Sequence, residues 1–257
     1  MTDGQISELA LDEWDAQVAQ KSRAMVASDL ELLDDLIVLL NHGTALLSGE
    51  KHDRGLNFLI GLLVTRAFNS IWRARQAAVD GYSVQALILA RAALEDWVAV
   101  QWLEEHPDEK DLWLCRILEE VSPALDKRGR ERWIPGADRM LGELEDGEVP
   151  REVYRELSKV AHPHGAGVGW QFHADEASLE VHCGPHFNER DLRICLFFLV
   201  HTAAGLLPSV ERLQSRWLGK ADDEWVAKGK GAVERALSFI GETAGELLGS
   251  AESEPAN

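Results

Sequence analysis

The chain has 257 residues, of which 46% are apolar, so a substantial core can be buried and disorder is excluded for most of its length. Its formal charge of −18 excludes a general electrostatic grip on nucleic acid or anionic lipid, and any such contact has to be local. Three cysteines, Cys115, Cys183 and Cys195, with no C-x-x-C spacing, point to free thiols in a reducing compartment. The acidic start MTDGQISELALDEWDAQ lacks the basic-then-apolar order of a secretion signal, so the expected location is cytoplasmic.

Apolar residues recur at spacings of three and four throughout, with no internal repeat, and predict an all-α multi-helix bundle. A first helix is expected over Ile6 to Lys21, and a second from SDLELLDDLIVLL, with Ser28 as its cap and acids in its first turn. A third runs through LNFLIGLLVTRAFNSIWRARQAAVDG and stops at Gly81; a fourth, SVQALILARAALEDWVAVQWLEEHP, ends before Pro107. So short a connection makes these two an antiparallel hairpin. Helical pieces follow at Leu112 to Val121 and Arg139 to Glu145, then a helix from about Arg151 to Ala161.

After a glycine-rich turn, GWQFHA and SLEVHC read as one small β-hairpin near residues 169–183. Two helices, Glu189 to Trp217 and Asp222 to Leu248, close the fold. The stretch ICLFFLVHTAAGLLPSV approaches the length of a membrane span, but it holds His201 and Pro208 between Arg193 and Glu211 and reads as a buried core helix. Residues 1–248 are expected to form a single helical domain, and residues 249–257 a disordered tail.

The chemistry-bearing stretch is YRELSKVAHPHG. Arg155 and His162 are seven residues apart, almost two helical turns, so they share one face with Lys159 between them. At the end of a helix the dipole favours an imidazolium, which suits His162 to moving a proton, and the arginine fork suits a phosphate. Such a pair, with His164 nearby, supports phosphodiester cleavage without a metal; the same residues also fit the basic last turn of any packed helix. Arg91 and Glu95 stand four apart in an otherwise apolar run, as a structural ion pair or as the polar wall of a site. From Arg54 to Val79 the chain carries Arg54, Arg66, Arg73 and Arg75 and no acid, and Arg66 and Arg73 share a helical face that would suit phosphate or an acidic partner.

His162, His164, His173, His182, His186 and Cys183 cluster in sequence but match no metal-site spacing, so no metal and no cofactor are expected. Phosphate-loop, G-x-S-x-G and H-E-x-x-H motifs are absent.

The order RAFNSIWRARQAAVDGYSVQALILARAALEDWVAVQWLEEHPDE, then YRELSKVAHPHG, then a hairpin and an apolar helix, resembles bacterial proteins of the HEPN superfamily pattern, over roughly Arg66 to Leu213. The resemblance implies a helical bundle that commonly dimerises, with active members that are metal-independent ribonucleases using an arginine and a histidine. Here those are Arg155 and His162, with Glu156 where active members typically carry Asn, Asp or His, and with Arg91 and Glu95 as the inward polar pair. It implies as partners an RNA substrate, an antitoxin or other protein, and a second copy, in a toxin or phage-defence setting. Relatives without nuclease activity imply the alternative, a non-catalytic module that binds a protein or small ligand. No membrane partner is expected.

Overall fold

The structure, a computed structural model, describes residues 11–47, 55–114, 135–145, 147–161, 172–175, 178–181 and 185–249. The architecture is an all-α bundle. Its helices are α1 (Leu11–Met25), α2 (Ala27–Ala45), α3 (Leu56–Val79), α4 (Ser83–Glu105), α5 (Ala137–Glu143), α6 (Glu148–Ala161), α7 (Glu189–Leu218) and α8 (Asp223–Gly249). A 3-10 turn, Pro107–Glu109, follows α4. The hairpin expected near residues 169–183 is not established by this framework. Residues 162–171, 176–177 and 182–184 lie outside the described set, and only two four-residue backbone segments, Phe172–Asp175 and Ser178–Val181, run antiparallel there.

The α3–α4 hairpin is set by its turn. The N–H of Tyr82 donates to the carbonyl of Ala77 at 2.8 Å and that of Gly81 to Ala78 at 3.2 Å, the paired bonds that close a helix through a left-handed residue. Gly81 has φ +88, a conformation that costs a side-chain-bearing residue strain, and a Cβ there would lie 2.7 Å from the carbonyl oxygen of His186. That close approach is used: the His186 N–H donates to the Gly81 carbonyl at 3.1 Å, joining the entry to α7 to the hairpin turn. Tyr82 ties α1 to the same corner by donating to Asp15 at 3.0 Å.

Helix α7 packs against α2, α3, α4 and α8, and its buried residues Leu192, Leu196, Leu199, Ala203, Leu206, Val210 and Leu213 recur at helical spacing. It is the one described helix long and apolar enough to cross a membrane, and 67% of its most apolar window is buried inside the molecule. Asn188 caps it by accepting from the Asp191 N–H, and Gly219 ends it in the left-handed region.

Three boundaries differ from expectation. Residues 1–10 lie outside the described set, and α1 runs on to Met25. Ser28 is not the cap of α2: the helix starts behind the buried Val26, and the Ser28 hydroxyl bonds Asp29 instead. Helix α6 begins at Glu148, ahead of Pro150, because a proline in the first turn forfeits no intrahelical bond. Residues 115–134, which include most of the expected helix at Leu112 to Val121, and the tail 250–257 also lie outside the described set.

Where α4 meets α7, Gly205 lets the Trp97 indole lie on the α7 backbone. A Cβ on Gly205 would sit 2.4 Å from Trp97 Cζ2. Gly205→Ala should therefore destabilise by about 1–3 kcal/mol through overpacking, read as a lower urea midpoint at unchanged slope. Beside it His201 stacks edge-on to Trp97, with ring centroids 5.7 Å apart, and burial pushes its titration below the ordinary 6.5. The fold holds this ring neutral where the unfolded chain begins to bind a proton. Its contribution is thus complete above pH 6.5 and is lost as pH falls from there toward the lowered value. Chemical denaturation between pH 7.5 and 5 should show that loss, and His201→Phe should flatten it.

Candidate functional site

Helix α6 places Arg151 and Arg155 against α5. Arg151 makes a bidentate pair with Asp138, Nε to Oδ1 at 2.9 Å and Nη2 to Oδ2 at 2.8 Å, and Arg155 donates to the same Oδ1 at 3.2 Å. The hydrogen bonds from Arg151 chiefly, opposed by desolvation and helped by Arg155, pull the Asp138 carboxyl down to about 2. Arg155 is a half-exposed guanidinium already facing a carboxylate; Lys159, one turn on, pairs with Glu156. His162 and His164 lie outside the described residues, as do the side chains of His173, His182 and Cys183. Among the described residues, no three His, Cys, Asp or Glu side chains gather as a metal-binding group.

Tyr154 leaves α6 about 100° away from Arg155 and so faces α4 instead of α5. Arg91 meets it there. Its Nη2 donates to the Tyr154 hydroxyl at 3.0 Å, its Nε to Glu95 Oε1 at 3.0 Å, and its guanidinium carbon sits 5.2 Å from the tyrosine ring centroid. Arg91 is 19% exposed and Glu95 41%, so the pair seals the edge of the α4–α6 contact with its carboxylate still in water. Arg155 on α6 thus turns to Asp138 on α5, whereas Arg91 reaches from α4 to the Tyr154 side of α6. The described residues do not bring them into one site.

On the other flank of α4 the hairpin register puts Arg66 opposite Asp96. The Arg66 Nε lies 3.0 Å and 2.9 Å from the two carboxylate oxygens, and Nη2 contacts Oδ1 as well. The Asp96 side chain is only 3% exposed and that of Arg66 59%. Burial raises the Asp96 carboxyl above its ordinary range, and the hydrogen bond and charge of Arg66 oppose that shift. Asp96 was missed in the sequence, although an acid inside LEDWVAV was the available signal; Asp138 left none, because its partners lie 13 and 17 residues away across a turn.

Arg66 also lines a groove of about 550 Å³ between α2, α3 and α7. Leu47, Phe58, Leu62, Leu213 and Trp217 supply apolar walls, and Thr65 and Asn69 accompany Arg66 as polar lining. Arg73, two turns further along α3, is exposed and has no ion pair among the described residues. The arrangement offers apolar surface with a cation beside it, a combination suited to holding an amphipathic ligand or partner.

No family model, curated protein or solved structure matches the chain. Geometry and chemistry alone carry the functional reading.

The two flanks of α4 should respond differently to mutation. A carboxyl raised above its unfolded value favours the fold at acid pH, and that contribution is lost as pH rises through the raised value. Asp96→Asn keeps an acceptor for Arg66 and removes the buried charge, so its melting temperature at pH 7 should equal or exceed the wild type. Arg66→Met strands the carboxylate and should cost about 2 kcal/mol, below the usual figure for a fully buried pair because one partner is exposed. Arg91→Ala leaves Glu95 solvated and should cost about 1 kcal/mol.

Proposed function

We propose that this chain is a non-catalytic helical binding module whose ligand surface is the groove between α2, α3 and α7. The observation that carries the reading is the groove's lining, apolar residues of three helices with Arg66 beside them. Its volume of about 550 Å³ falls within the range of sites that enclose small ligands or partner side chains. The charge of −18 supports a contact of this local kind over one spread along a polyanion. A cytoplasmic location belongs to the same proposal.

A second reading is a metal-independent endoribonuclease of toxin or phage-defence type, working as a homodimer with an antitoxin or other protein partner. What favours it is α6, where Arg155 and Lys159 are 56% and 59% exposed on one stripe that precedes His162 in sequence. His162 would move the proton and Arg155 steady the charge on the phosphate. The HEPN-like order of elements, with a short hairpin after α6, belongs to this reading, and Phe172 opposite Val181 in the backbone supports the hairpin. Asp138 weighs against it: RNA phosphate would have to displace a carboxylate that Arg155 already contacts.

Incubation of full-length protein, freed of contaminating ribonuclease, with single-stranded and structured RNA in a chelating buffer separates the two. The expected outcome is no cleavage. Cleavage that falls roughly a hundred- to a thousand-fold in Arg155→Ala and His162→Ala would replace the binding reading with the nuclease. In parallel, anilinonaphthalene sulfonate, an aromatic anion, should fluoresce on the wild type and several-fold less on Leu62→Glu; equal fluorescence would remove the groove from the proposal.

A further inference from the structure

We infer that the outer face of α3 docks an acidic amphipathic helix from another protein, a proposal that rests on the binding-module reading and names the partner's chemistry. At 100° per residue, Phe58, Leu62, Asn69 and Trp72 fall on one stripe of α3, with Arg66 and Arg73 along one margin, all within an arc of about 120°. Phe58 is 36% exposed, Leu62 39% and Trp72 46%. Large apolar side chains left in water at helical spacing, in a molecule with a well-filled core, mark a surface built to be covered. From Phe58 to Trp72 the stripe is about 21 Å long, the span of about four turns of a partner helix. The groove of about 550 Å³ runs beside the stripe from Phe58 to Asn69, where a partner's apolar side chains can seat against Leu213 and Trp217.

Charge selects the partner's sign. Helix α3 carries three arginines and no acid in a chain of net charge −18. The Arg66 side chain is 59% exposed above the buried Asp96, so a docking partner meets its guanidinium, and exposed Arg73 has no ion pair among the described residues. The two cations are seven residues apart, about 10 Å along the axis, the repeat at which a helix presents Asp or Glu on one face. Salt screens charge beyond about 8 Å, so these arginines reward acids placed directly over them. A long polyanion also meets the acidic remainder of the surface. A second copy paired through the same face would set Arg66 and Arg73 against their own equivalents, which disfavours the homotypic contact.

The test uses the full chain as bait for a displayed library of helix-stabilised peptides about 18 residues long, enough for five turns. The enriched peptides should carry apolar residues at i, i+4, i+7 and i+11 flanked by Asp or Glu. Their binding should weaken as salt rises, and fall at least ten-fold in Trp72→Ser and in Arg73→Glu. Both positions are exposed, so these variants should melt with the wild type. Enrichment without an acidic bias, or binding undiminished in both variants, overturns the α3 proposal while leaving a binding module whose surface lies elsewhere. A Trp72-dependent dimer in sedimentation, or an RNA oligonucleotide that outcompetes the peptides on this face, overturns it in favour of those occupants. No enriched peptide at all defeats it as well, and RNA cleavage in the same preparation would show that the binding-module reading has failed with it.

Discussion

The register of α3 against α4, set at Gly81, is the constraint on which the rest of the molecule depends. A left-handed residue there closes α3 and reverses the chain within three residues, and its carbonyl receives the backbone that leads into α7. From that corner the alignment is forced outward. Arg66 arrives opposite Asp96, and Arg91 comes out on the flank where α6 packs. The long apolar helix α7 lies against both members of the hairpin and against α2 and α8, so an error at one turn would propagate through every core contact.

Charge in this bundle is handled in two ways that have different consequences. At Asp138 a half-exposed carboxylate collects two arginines from α6 and is strongly favoured in its ionised form, which makes it a clamp between α5 and α6. At Asp96 burial outweighs the same kind of pairing, and the ionised form is disfavoured. An acid whose ionised form is disfavoured by burial is poor evidence for a stabilising role. Its contact with Arg66, which itself lines the groove, ties it to the surface from which a binding function is inferred.

The two functional readings divide along the same line. The nuclease reading needs the α6 arginine turned toward a phosphate, and the structure turns it toward Asp138. The binding reading needs apolar surface and a cation in one place, and α3 supplies both beside α7. What joins them is the acidity of the chain, in which an arginine that stays exposed over a buried carboxylate, as Arg66 does over Asp96, is a local positive feature.

Much was legible without coordinates. Period-3.6 patterning, the glycine stop at Gly81, the proline after α4 and the long apolar run from Glu189 are local signals, each read from nearby chain, and so the all-α class and the main helix bounds follow from sequence. Local signals also misled, as at Ser28, where the burial of Val26 decided the start of α2. The partner of each charge was beyond reach. Arg155 and Tyr154 are adjacent letters whose side chains go to different helices, and Asp96 beside Glu95 is buried while its neighbour is wet, because a 100° step per residue converts sequence adjacency into opposite faces. Which face is covered depends on helices dozens of residues away. Sequence determined which residues are helical and which carry charge; only the tertiary packing decided which charges meet, which are buried, and which face of α3 is left open.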